Sequence, residues 1–233
     1  MKFAVISDIH GNLEALTKAF ELIDEKKVGE VLCLGDIIGY GANPNECVSF
    51  LRERGVRSLI GNHDQAVVDP EKAGTFNELA GRAIEWTART LTPDNLEYLS
   101  TLPYLFVEHD FTFVHSSPEN PEEWNYILSP FDALEAFRHF SSPICWVGHS
   151  HRSGVFCEDM KTQRVERGKR FIINVGSIGQ PRNRDSRLSF GVFDTDGWEY
   201  EHIVSPYDVQ RARQKILDAG LPAFLGDRLL YGA

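Results

Sequence analysis

The sequence predicts an α/β fold built on a mainly parallel β-sheet that is covered on both faces. In the first half of the chain, short continuous apolar runs alternate with segments of helical periodicity, which is the pattern of a buried parallel sheet. From about residue 154 onward the chain is mostly β-like. No internal repeat, low-complexity tract or shift in composition divides it, so we expect residues 1–233 to form a single domain.

Strands and helices are expected to alternate through the first 61 residues. The strand candidates are the runs KFAVIS, EVLCLG and VRSLIG, which are rich in apolar and β-branched residues. The first run is followed by apolar residues at helical spacing, namely Leu13, Leu16, Ala19, Phe20 and Ile23. The helix after the second run is predicted to begin near Asn43. Asn43 suits the N-cap, Pro44 the first helical position and Glu46 the third.

Residues 66–103 interrupt this alternation and are predicted to be helical throughout. One helix face would carry the residues Phe76, Ala80, Ala83, Ile84, Thr87 and Leu91. Thr92 and Pro93 start another helix. Two interpretations remain open for the segment. It is either an insert packed on the core or a small helical cap over the side chains of Asn62 and His63.

The second half of the chain returns to strands. Strand character is strong in YLFVEHDFTFVHS and PICWVGHSH, and then in GVFCED, RFIINVG and LSFGVFDTDGWEYEHIV. In the last of these, Thr195, Asp196 and Gly197 mark a β-hairpin. A helix over about residues 207–219 is expected to close the fold.

Composition limits the class of partner and the compartment. The net charge of −10 argues against non-specific polynucleotide binding, which depends on a surplus of Lys and Arg. A small phosphorylated substrate remains compatible, because bound divalent cations reverse the local field. The N-terminal apolar run is too short for a signal peptide, no later segment approaches a membrane span, and the four cysteines show no C-x-x-C spacing. We therefore expect a cytoplasmic protein without membrane association, whose Cys33 and Cys145 are reduced core residues, and leave the oligomeric state open.

Polar side chains follow five strand candidates at the points where the strands end. They are Asp8 and His10, then Asp36, then Asn62 and His63, then His115, and finally His149 and His151. Taken alone, each set has an ordinary explanation as a turn, a cap or a core histidine, and His109, His139 and His202 keep that explanation. Taken together they indicate one site, because ligands in open α/β sheets gather beyond the carboxyl ends of the strands. His149 and His151 alternate, so on a regular strand they would share one face.

The donor types indicate a pair of divalent cations. Imidazoles, carboxylates and an amide oxygen, without a thiolate, suit Mn²⁺, Fe or Zn²⁺ and are too rich in nitrogen for Ca²⁺. Seven donors exceed one tetrahedral site, whereas two ions about 3.5–4 Å apart would use them all if one carboxylate bridged. Such a pair lowers the pKa of a shared water and clamps an anionic ester in line with the attack. Phosphoester hydrolysis requires this kind of assistance.

The order of these motifs resembles the calcineurin-like metallophosphoesterase superfamily. The matching blocks are D-x-H at Asp8 and His10, G-D-x-x-G from Gly35 to Gly39, G-N-H-D from Gly61 to Asp64, the strand-end His115, and G-H-x-H from Gly148 to His151. The segments GDIIGYGANPNECV, FNELAGRAIEWT, LTPDNLEYLSTLP and NVGSIGQPRN are similar to its small bacterial and archaeal phosphoesterase branch, so the resemblance covers most of the chain. It implies a four-layer α/β/β/α sandwich of two mixed β-sheets flanked by helices. Residues 66–103 would be a helical cap insert whose shape selects the substrate.

The resemblance also implies a role for each matching residue. Asp8, His10 and His151 would hold one metal, Asn62, His115 and His149 would hold the other, and Asp36 would bridge the two. His63 and Asp64 would be the catalytic residues. His63 would face the ester, and Asp64 would orient the turn or cap a helix. Asn62, His63 and Arg182 would bind substrate. The cofactors would be two divalent metal ions, with Mn²⁺ favoured and Fe, Zn²⁺, Ni²⁺ or Mg²⁺ as alternatives.

Two departures from the family pattern leave the substrate open. Ser116 stands where glycine is frequent, and Val175 stands where Asn-Pro-Gly-Ser has proline; neither change removes a metal ligand. Arg182, Arg184 and Arg187 are candidates to meet a substrate phosphate, although a solvated basic cluster explains at least two of them.

Three functions are compatible with the sequence. The first is a phosphoesterase that hydrolyses a small phosphodiester or nucleotide-type substrate by attack of a metal-bound hydroxide. The same metal pair would serve a phosphomonoesterase, including a protein Ser/Thr phosphatase. The third is a non-catalytic binding module on the same fold, which the presence of His63 and of all seven expected ligands disfavours.

Overall fold

The computed structural model of the protein describes residues 1–162 and 164–233, and at residues 73–75 it describes the backbone alone. Strands in the described residues form two five-stranded mixed β-sheets. This arrangement confirms the two mixed sheets that the family resemblance implies. The helices lie on the outer faces of both sheets, as the apolar cores described below indicate.

The first sheet combines the parallel strands of the first half with the hairpin of the second half. Its strands are β1 (Lys2–Ile6), β2 (Glu30–Cys33), β3 (Arg57–Ser58), β9 (Leu188–Asp194) and β10 (Glu199–Ser205), in the order β10-β9-β1-β2-β3. The pairs β1–β2 and β2–β3 are parallel, as predicted, whereas β9 is antiparallel to both β1 and β10. Strand β3 is shorter than the run VRSLIG suggests. The backbone N–H of Leu59 still donates to the carbonyl of Cys33 in β2, whereas that of Ile60 donates to the carbonyl of Pro103.

The second sheet is built from the strands between the cap region and the hairpin. Its strands are β4 (Leu105–Glu108), β5 (Phe111–Val114), β6 (Ile144–Val147), β7 (Gly154–Cys157) and β8 (Phe171–Asn174), in the order β4-β5-β6-β8-β7. The pairs β5–β6 and β6–β8 are parallel, and the edge strands β4 and β7 are antiparallel to their neighbours. The carboxyl ends of β5 and β6 therefore point to the same edge of this sheet.

The α-helices include the predicted ones and two that were not predicted. They are α1 (Leu13–Glu25), α2 (Pro44–Glu53), α3 (Asn62–Val68), α4 (Glu78–Thr90), α5 (Pro93–Ser100), α6 (Pro130–Ala136), α7 (Val209–Asp218) and α8 (Ala223–Asp227). The end of α3, the 3₁₀ helix Pro70–Thr75, and all of α4 and α5 confirm the helical character of residues 66–103. Helix α7 falls within the predicted closing helix, while α6 and α8 are additional. Within residues 1–162 and 164–233, the helices are all too short or too polar to cross a membrane.

Apolar cores show how the layers stack. Phe3 and Leu32 of the first sheet pack with Trp146 and Phe171 of the second sheet, so the two sheets face each other across an aromatic core. Residues of α1, α2 and α3 cover the outer face of the first sheet, and α6 covers the outer face of the second. The prediction that the parallel strands are buried on both faces is confirmed. One of those faces is covered by helices and the other by a second sheet.

The first two helices begin as the capping residues suggest, with one difference. The side chain of Asn12 accepts a hydrogen bond from the backbone of Ala15 and caps α1. Asn43 occupies the N-cap position of α2, yet its side chain makes no capping hydrogen bond. Its amide donates to Glu46, and its oxygen accepts from Lys215 of α7. The side chain thus ties two helices together.

Candidate metal centre

The predicted site residues meet where the carboxyl ends of strands from both sheets come together. In the first sheet, Asp8 follows β1, Asp36 follows β2 and Asn62 follows β3. In the second sheet, His115 follows β5, and the loop after β6 carries His149. Of the seven predicted metal ligands, six are buried and Asn62 is partly buried. The convergence expected from the strand ends is therefore present in the fold.

Two groups of donor atoms lie in this cluster. Asp8, His10, Asp36 and His151 form one group, and Asp36, His115 and His149 form the other; within each group the donor atoms lie within 4.8 Å of one another. Asp36 belongs to both groups. Its Oδ2 atom lies 3.5 Å from Nε2 of His10 and 3.4 Å from Nε2 of His115. Its position between the groups is the one that a bridging carboxylate requires.

His10 and His151 present unprotonated nitrogens to each other. Nδ1 of His10 lies 3.1 Å from the carbonyl oxygen of Ile38, and Nδ1 of His151 lies 2.5 Å from that of Gln180. Because a carbonyl oxygen only accepts hydrogen bonds, each Nδ1 carries the single proton of a neutral imidazole. Both Nε2 atoms then offer lone pairs, yet they lie only 3.1 Å apart. This spacing fits two nitrogens that bind one cation at about 2.1 Å each.

His115 and His149 repeat the arrangement in the second group. Nδ1 of His115 donates to the carbonyl oxygen of Leu34 at 3.1 Å, and Nε2 of His149 donates to that of Trp124 at 2.9 Å. The remaining nitrogens, Nε2 of His115 and Nδ1 of His149, lie 3.2 Å apart. Backbone carbonyls that fix the outer nitrogen of an imidazole are typical partners of metal-binding histidines. The second group therefore repeats the geometry of the first.

Unpartnered oxygens point to the same conclusion. Asp8 Oδ1, Asp36 Oδ2 and Asn62 Oδ1 are buried and have no hydrogen-bond partner. Buried polar atoms are almost always satisfied, so three such oxygens in one cluster need an explanation. The other oxygens of the two carboxylates are engaged, since Asp8 Oδ2 accepts from the backbone of His149 and Asp36 Oδ1 from that of His63. Cations held by the free oxygens would satisfy them, and the donor set fits this requirement.

The protonation states agree with a cation site. Burial lowers the pKa of His10 and of His151 well below the usual value and that of His149 to about 3, so these imidazoles are neutral. Burial alone would raise the pKa of Asp36, but the neighbouring imidazoles, His115 foremost, hold it well below its ordinary value. Burial also lowers the pKa of His115, but the charge of Asp36 and a hydrogen bond to it outweigh burial and raise that pKa to about 9. In the metal-free chain, His115 thus carries a proton that a cation would displace.

The backbone is strained at the ligands. Asp8, His10, Asp36, His149 and His151 all have φ between 52° and 62°, in the left-handed region. Non-glycine residues in this region cost on the order of 1 kcal/mol each and cluster at functional sites. The prediction that His149 and His151 share the face of a strand is wrong, because β6 ends at Val147 and both histidines lie on the loop beyond it. The loop brings them to the cluster from different directions.

His63 lies beside the two groups and belongs to neither. It is buried, and its ring contacts His10, Tyr40 and Phe76 at centroid distances of 4.8, 4.4 and 4.8 Å. Its Nδ1 faces Gly39, where an added Cβ would lie only 2.6 Å away and where φ is +91°. Burial lowers the pKa of His63 to about 4, although the charge of Asp36 opposes the shift. The ring is therefore neutral at pH 7, with Nε2 left for the cleft.

Asp64 faces the backbone instead of the cleft. Its Oδ2 accepts from the N–H groups of Ile37 and Gly61, and its Oδ1 accepts from that of Ile38. The side chain is fully buried. It ties the loop that carries Asp36 to the first turn of α3, which is the turn-orienting role that the sequence suggested.

A cleft of about 390 Å³ opens over the metal ligands. Its walls include the predicted residues Asn62, His63 and Arg182. Further lining residues were not predicted as site residues: Tyr40, Trp124, Tyr126 and Arg228. Phe76, Asn77 and Ala80 place the start of α4, and thus part of the predicted cap, at the rim. The cap function itself stays a prediction.

The remaining candidates lie outside the cleft. Arg184 is exposed, and Arg187 forms an ion pair with Asp185, as expected for a solvated basic cluster. His109 pairs with Glu30 and His139 with Glu119. These residues keep their structural explanation.

Comparison with known proteins gives consistent matches over the whole chain. The family model described as the calcineurin-like phosphoesterase superfamily domain matches residues 1–197. An uncharacterised protein of Methanocaldococcus jannaschii is 37% identical over 239 residues, which cover 98% of this chain and 97% of the relative. The crystal structure of a metallophosphoesterase from Sphaerobacter thermophilus has a TM-score of 0.88 and 35% identity, and the match covers 100% of this chain and 99% of that one. A hypothetical protein from Pyrococcus horikoshii shares the fold with a TM-score of 0.86 at 22% identity, over 100% of this chain and 98% of that one.

Proposed function

The chain belongs to the calcineurin-like phosphoesterase superfamily, and we propose that it hydrolyses a small phosphodiester or nucleotide-type ester with the help of two divalent cations. Mn²⁺ is the first candidate for both positions, because imidazole and carboxylate donors without thiolate suit it. Membership in a family of metal-dependent phosphoesterases and the buried Asp and His groups support this proposal.

The observation that carries the proposal is the facing pair of Nε2 atoms in His10 and His151. Two unprotonated nitrogens 3.1 Å apart in a buried site repel each other unless a cation lies between them. Oδ1 of Asp8 lies 3.3 Å from Nε2 of His151 and 4.0 Å from Nε2 of His10, and it has no hydrogen-bond partner. A carboxylate oxygen and two imidazole nitrogens then converge on one point, which only a cation or a proton can satisfy.

The ligands divide into two sets that share Asp36. Asp8, His10 and His151 would hold one cation, Asn62, His115 and His149 would hold the other, and Asp36 would contact both. When bound, such cations lower the pKa of a water and neutralise charge on the phosphoryl oxygens. Backbone contacts already align the imidazoles and carboxylates, so binding would need little movement and the loss of the extra proton on His115.

His63 is suited to act on the ester. Its neutral ring lines the cleft next to Asp36, and its Nδ1 is shielded by Gly39. The Nε2 side of the ring can donate a hydrogen bond to a phosphoryl oxygen or to the leaving oxygen. A bound phosphate would add negative charge beside the ring and raise its pKa from about 4, which favours proton donation.

The cleft favours a small ester with a planar group. Its volume of about 390 Å³ lies in the range of small-molecule sites, which is roughly 300–1,000 Å³. Trp124 and Tyr126 line one side, and Tyr126 stacks on His149 with centroids 4.0 Å apart. Aromatic side chains at the mouth offer a stacking surface for a base or another ring.

The first experiment measures metal content and hydrolysis on the same preparation. We expect the protein to retain about two equivalents of Mn²⁺ after dialysis, as two ligand sets imply. The loaded protein should hydrolyse bis(p-nitrophenyl) phosphate, p-nitrophenyl phosphate or both, and a chelator should abolish this activity. The ratio of the two rates separates a diesterase from a monoesterase, since the ligands serve both.

A matched pair of histidine variants tests the assignment. His10→Ala should lose metal and activity together, whereas His139→Ala, outside the cluster, should keep both. Full metal content in His10→Ala would contradict the proposed ligand set. Tight metal binding by the wild type without hydrolysis of any aryl ester would instead favour a binding module.

A further inference from the structure

Arg228 is a cation in the cleft to which the proposed reaction assigns no role. It begins the 3₁₀ helix Arg228–Leu230, beyond the residues that the family model matches. It lines the cleft together with Arg182, and the Cζ atoms of both arginines lie 5.9 Å from the ring centroid of Tyr40. Two guanidinium groups from distant parts of the sequence therefore both lie near the ring of one tyrosine.

Local contacts hold each guanidinium in place. Nη2 of Arg182 donates to the side-chain oxygen of Gln180 at 2.9 Å, and its backbone N–H donates to the carbonyl of His151. Nε of Arg228 donates to the carbonyl oxygen of Ala233. Across the described ranges 1–162 and 164–233, no Asp or Glu side chain forms an ion pair with either arginine. By contrast, surface arginines such as Arg213 pair with carboxylates.

Two like charges without a carboxylate side chain beside them are unfavourable in a partly buried cleft. Burial lowers the pKa of Arg228, and the charge of Arg182 lowers it further. An anion between the two groups would replace this repulsion with charge-assisted hydrogen bonds. Arginine is well suited to this role because its planar donors match phosphate and carboxylate oxygens.

The two arginines lie at different depths. The backbone N–H of Arg182 donates to the carbonyl of the proposed metal ligand His151, which places Arg182 beside the ligands. Arg228 begins the 3₁₀ helix Arg228–Leu230, and its side chain contacts Ala233 and Tyr40. Arg182 is thus the inner cation and Arg228 the outer one.

We propose that Arg228, together with Arg182, binds an anionic group of the substrate other than the phosphoryl group that is hydrolysed. The inference rests on the proposed function and narrows its substrate class to esters that carry a second phosphate. Arg228 is then a specificity-determining residue. A nucleotide with phosphates at two positions has the required chemistry, because its base can also stack on the aromatic side of the cleft.

Two chromogenic esters that differ by a single phosphate test this inference. They are thymidine 5′-(p-nitrophenyl phosphate) and the same ester with an added 3′-phosphate. For the Mn²⁺-loaded wild type we expect kcat/KM to be about tenfold higher for the second ester, which corresponds to about 1.4 kcal/mol. Arg228→Gln should reduce this ratio to about one, and Arg228→Lys should retain part of it. Arg89→Gln is the control: it removes an equal charge from the exposed Arg89 of α4 and should leave the ratio unchanged.

Binding is measured separately from turnover. Calorimetry with thymidine 5′-phosphate and thymidine 3′,5′-bisphosphate should show about tenfold tighter binding of the bisphosphate by the wild type, and no such preference in Arg228→Gln. Equal affinities in the wild type overturn the inference without any variant. If Arg228→Gln does not fold, Arg228→Lys tests whether a wild-type preference depends on Arg228.

Each outcome separates this inference from the proposed function. If the wild type hydrolyses both esters equally well, or if Arg228→Gln lowers both kcat/KM values by one factor, the second-anion site is overturned and the hydrolase stands. If neither ester is hydrolysed, the proposed function fails and calorimetry decides: equal affinities for the two ligands overturn the anion site, and a preference that depends on Arg228 supports it.

Discussion

Replacing Asp64 with asparagine should weaken the fold far more than the chemistry. The buried carboxylate accepts from three backbone N–H groups, those of Ile37 at 3.3 Å, Ile38 at 3.1 Å and Gly61 at 3.0 Å. These bonds hold the loop that bears Asp36 against the start of α3. Asp64 therefore positions two ligand-bearing segments and does not touch the substrate.

The size of the effect follows from the number of amides that lose an acceptor. Asparagine has one acceptor oxygen, which can keep the amides of Ile37 and Gly61, so the N–H of Ile38 faces an NH₂ group. A buried donor left unsatisfied costs about 1–3 kcal/mol. Burial raises the pKa of Asp64 to about 7, so the fold does not favour the charged form, and loss of the charge itself removes no stability. We expect the free energy of unfolding to fall by about 1–3 kcal/mol.

Urea unfolding of the metal-free protein measures this change directly. The matched control is Asp94→Asn, an exposed position on α5, which should stay within about 0.5 kcal/mol of the wild type. If Asp64→Asn keeps the wild-type stability and lowers turnover of the metal-loaded protein by about 100-fold or more, a loss of the size expected for general acid–base catalysis, Asp64 takes part in the chemistry and the reasoning is wrong.

Three further predictions concern the cations and the histidine beside them. His63→Ala should retain the metal content of the wild type and lower hydrolysis of the aryl esters by about 10²–10⁴, the usual contribution of general acid–base catalysis; unchanged turnover would refute its role. Asp36→Asn should lower the occupancy of both cations, measured as metal content after dialysis, and loss of one cation alone would exclude a bridging role. Because the pKa of His115 is about 9, metal binding at pH 7 should release a proton, so the affinity should rise as the pH approaches 9; calorimetry in buffers of different ionisation enthalpy would detect the release, and its absence would contradict the assignment.

The sequence predicted the parallel strands and α1 because burial leaves a regular trace in neighbouring residues. It did not show what covers the second face of those strands, because a strand has the same apolar sequence whether helices or another sheet cover that face. Helix α6 was missed because it is short and its apolar face is small. Its start is nevertheless marked by Ser129 and Asp132, which form a capping box.

The strand ends were sufficient to assemble the ligands, because that rule depends only on the direction of the strands. The pairing of imidazole nitrogens was beyond sequence reasoning, since it is set by distant carbonyls such as Gln180 for His151. Arg228 and Tyr126 belong to no motif and reach the cleft only through tertiary packing. The alternation of His149 and His151 suggested a strand, but β6 ends at Val147 and both histidines lie on a loop.

The donors come from both layers of the sandwich, and this has a mechanical consequence. Cations held between Asp36 on one layer and His151 or His115 on the other would act as non-covalent cross-links, in a chain whose described cysteines are all free. Any sliding of the layers along the aromatic interface around Trp146 would pull the donors apart. Metal retention would then report on the alignment of the two halves, and a packing defect far from the cleft could loosen the ions without touching a ligand.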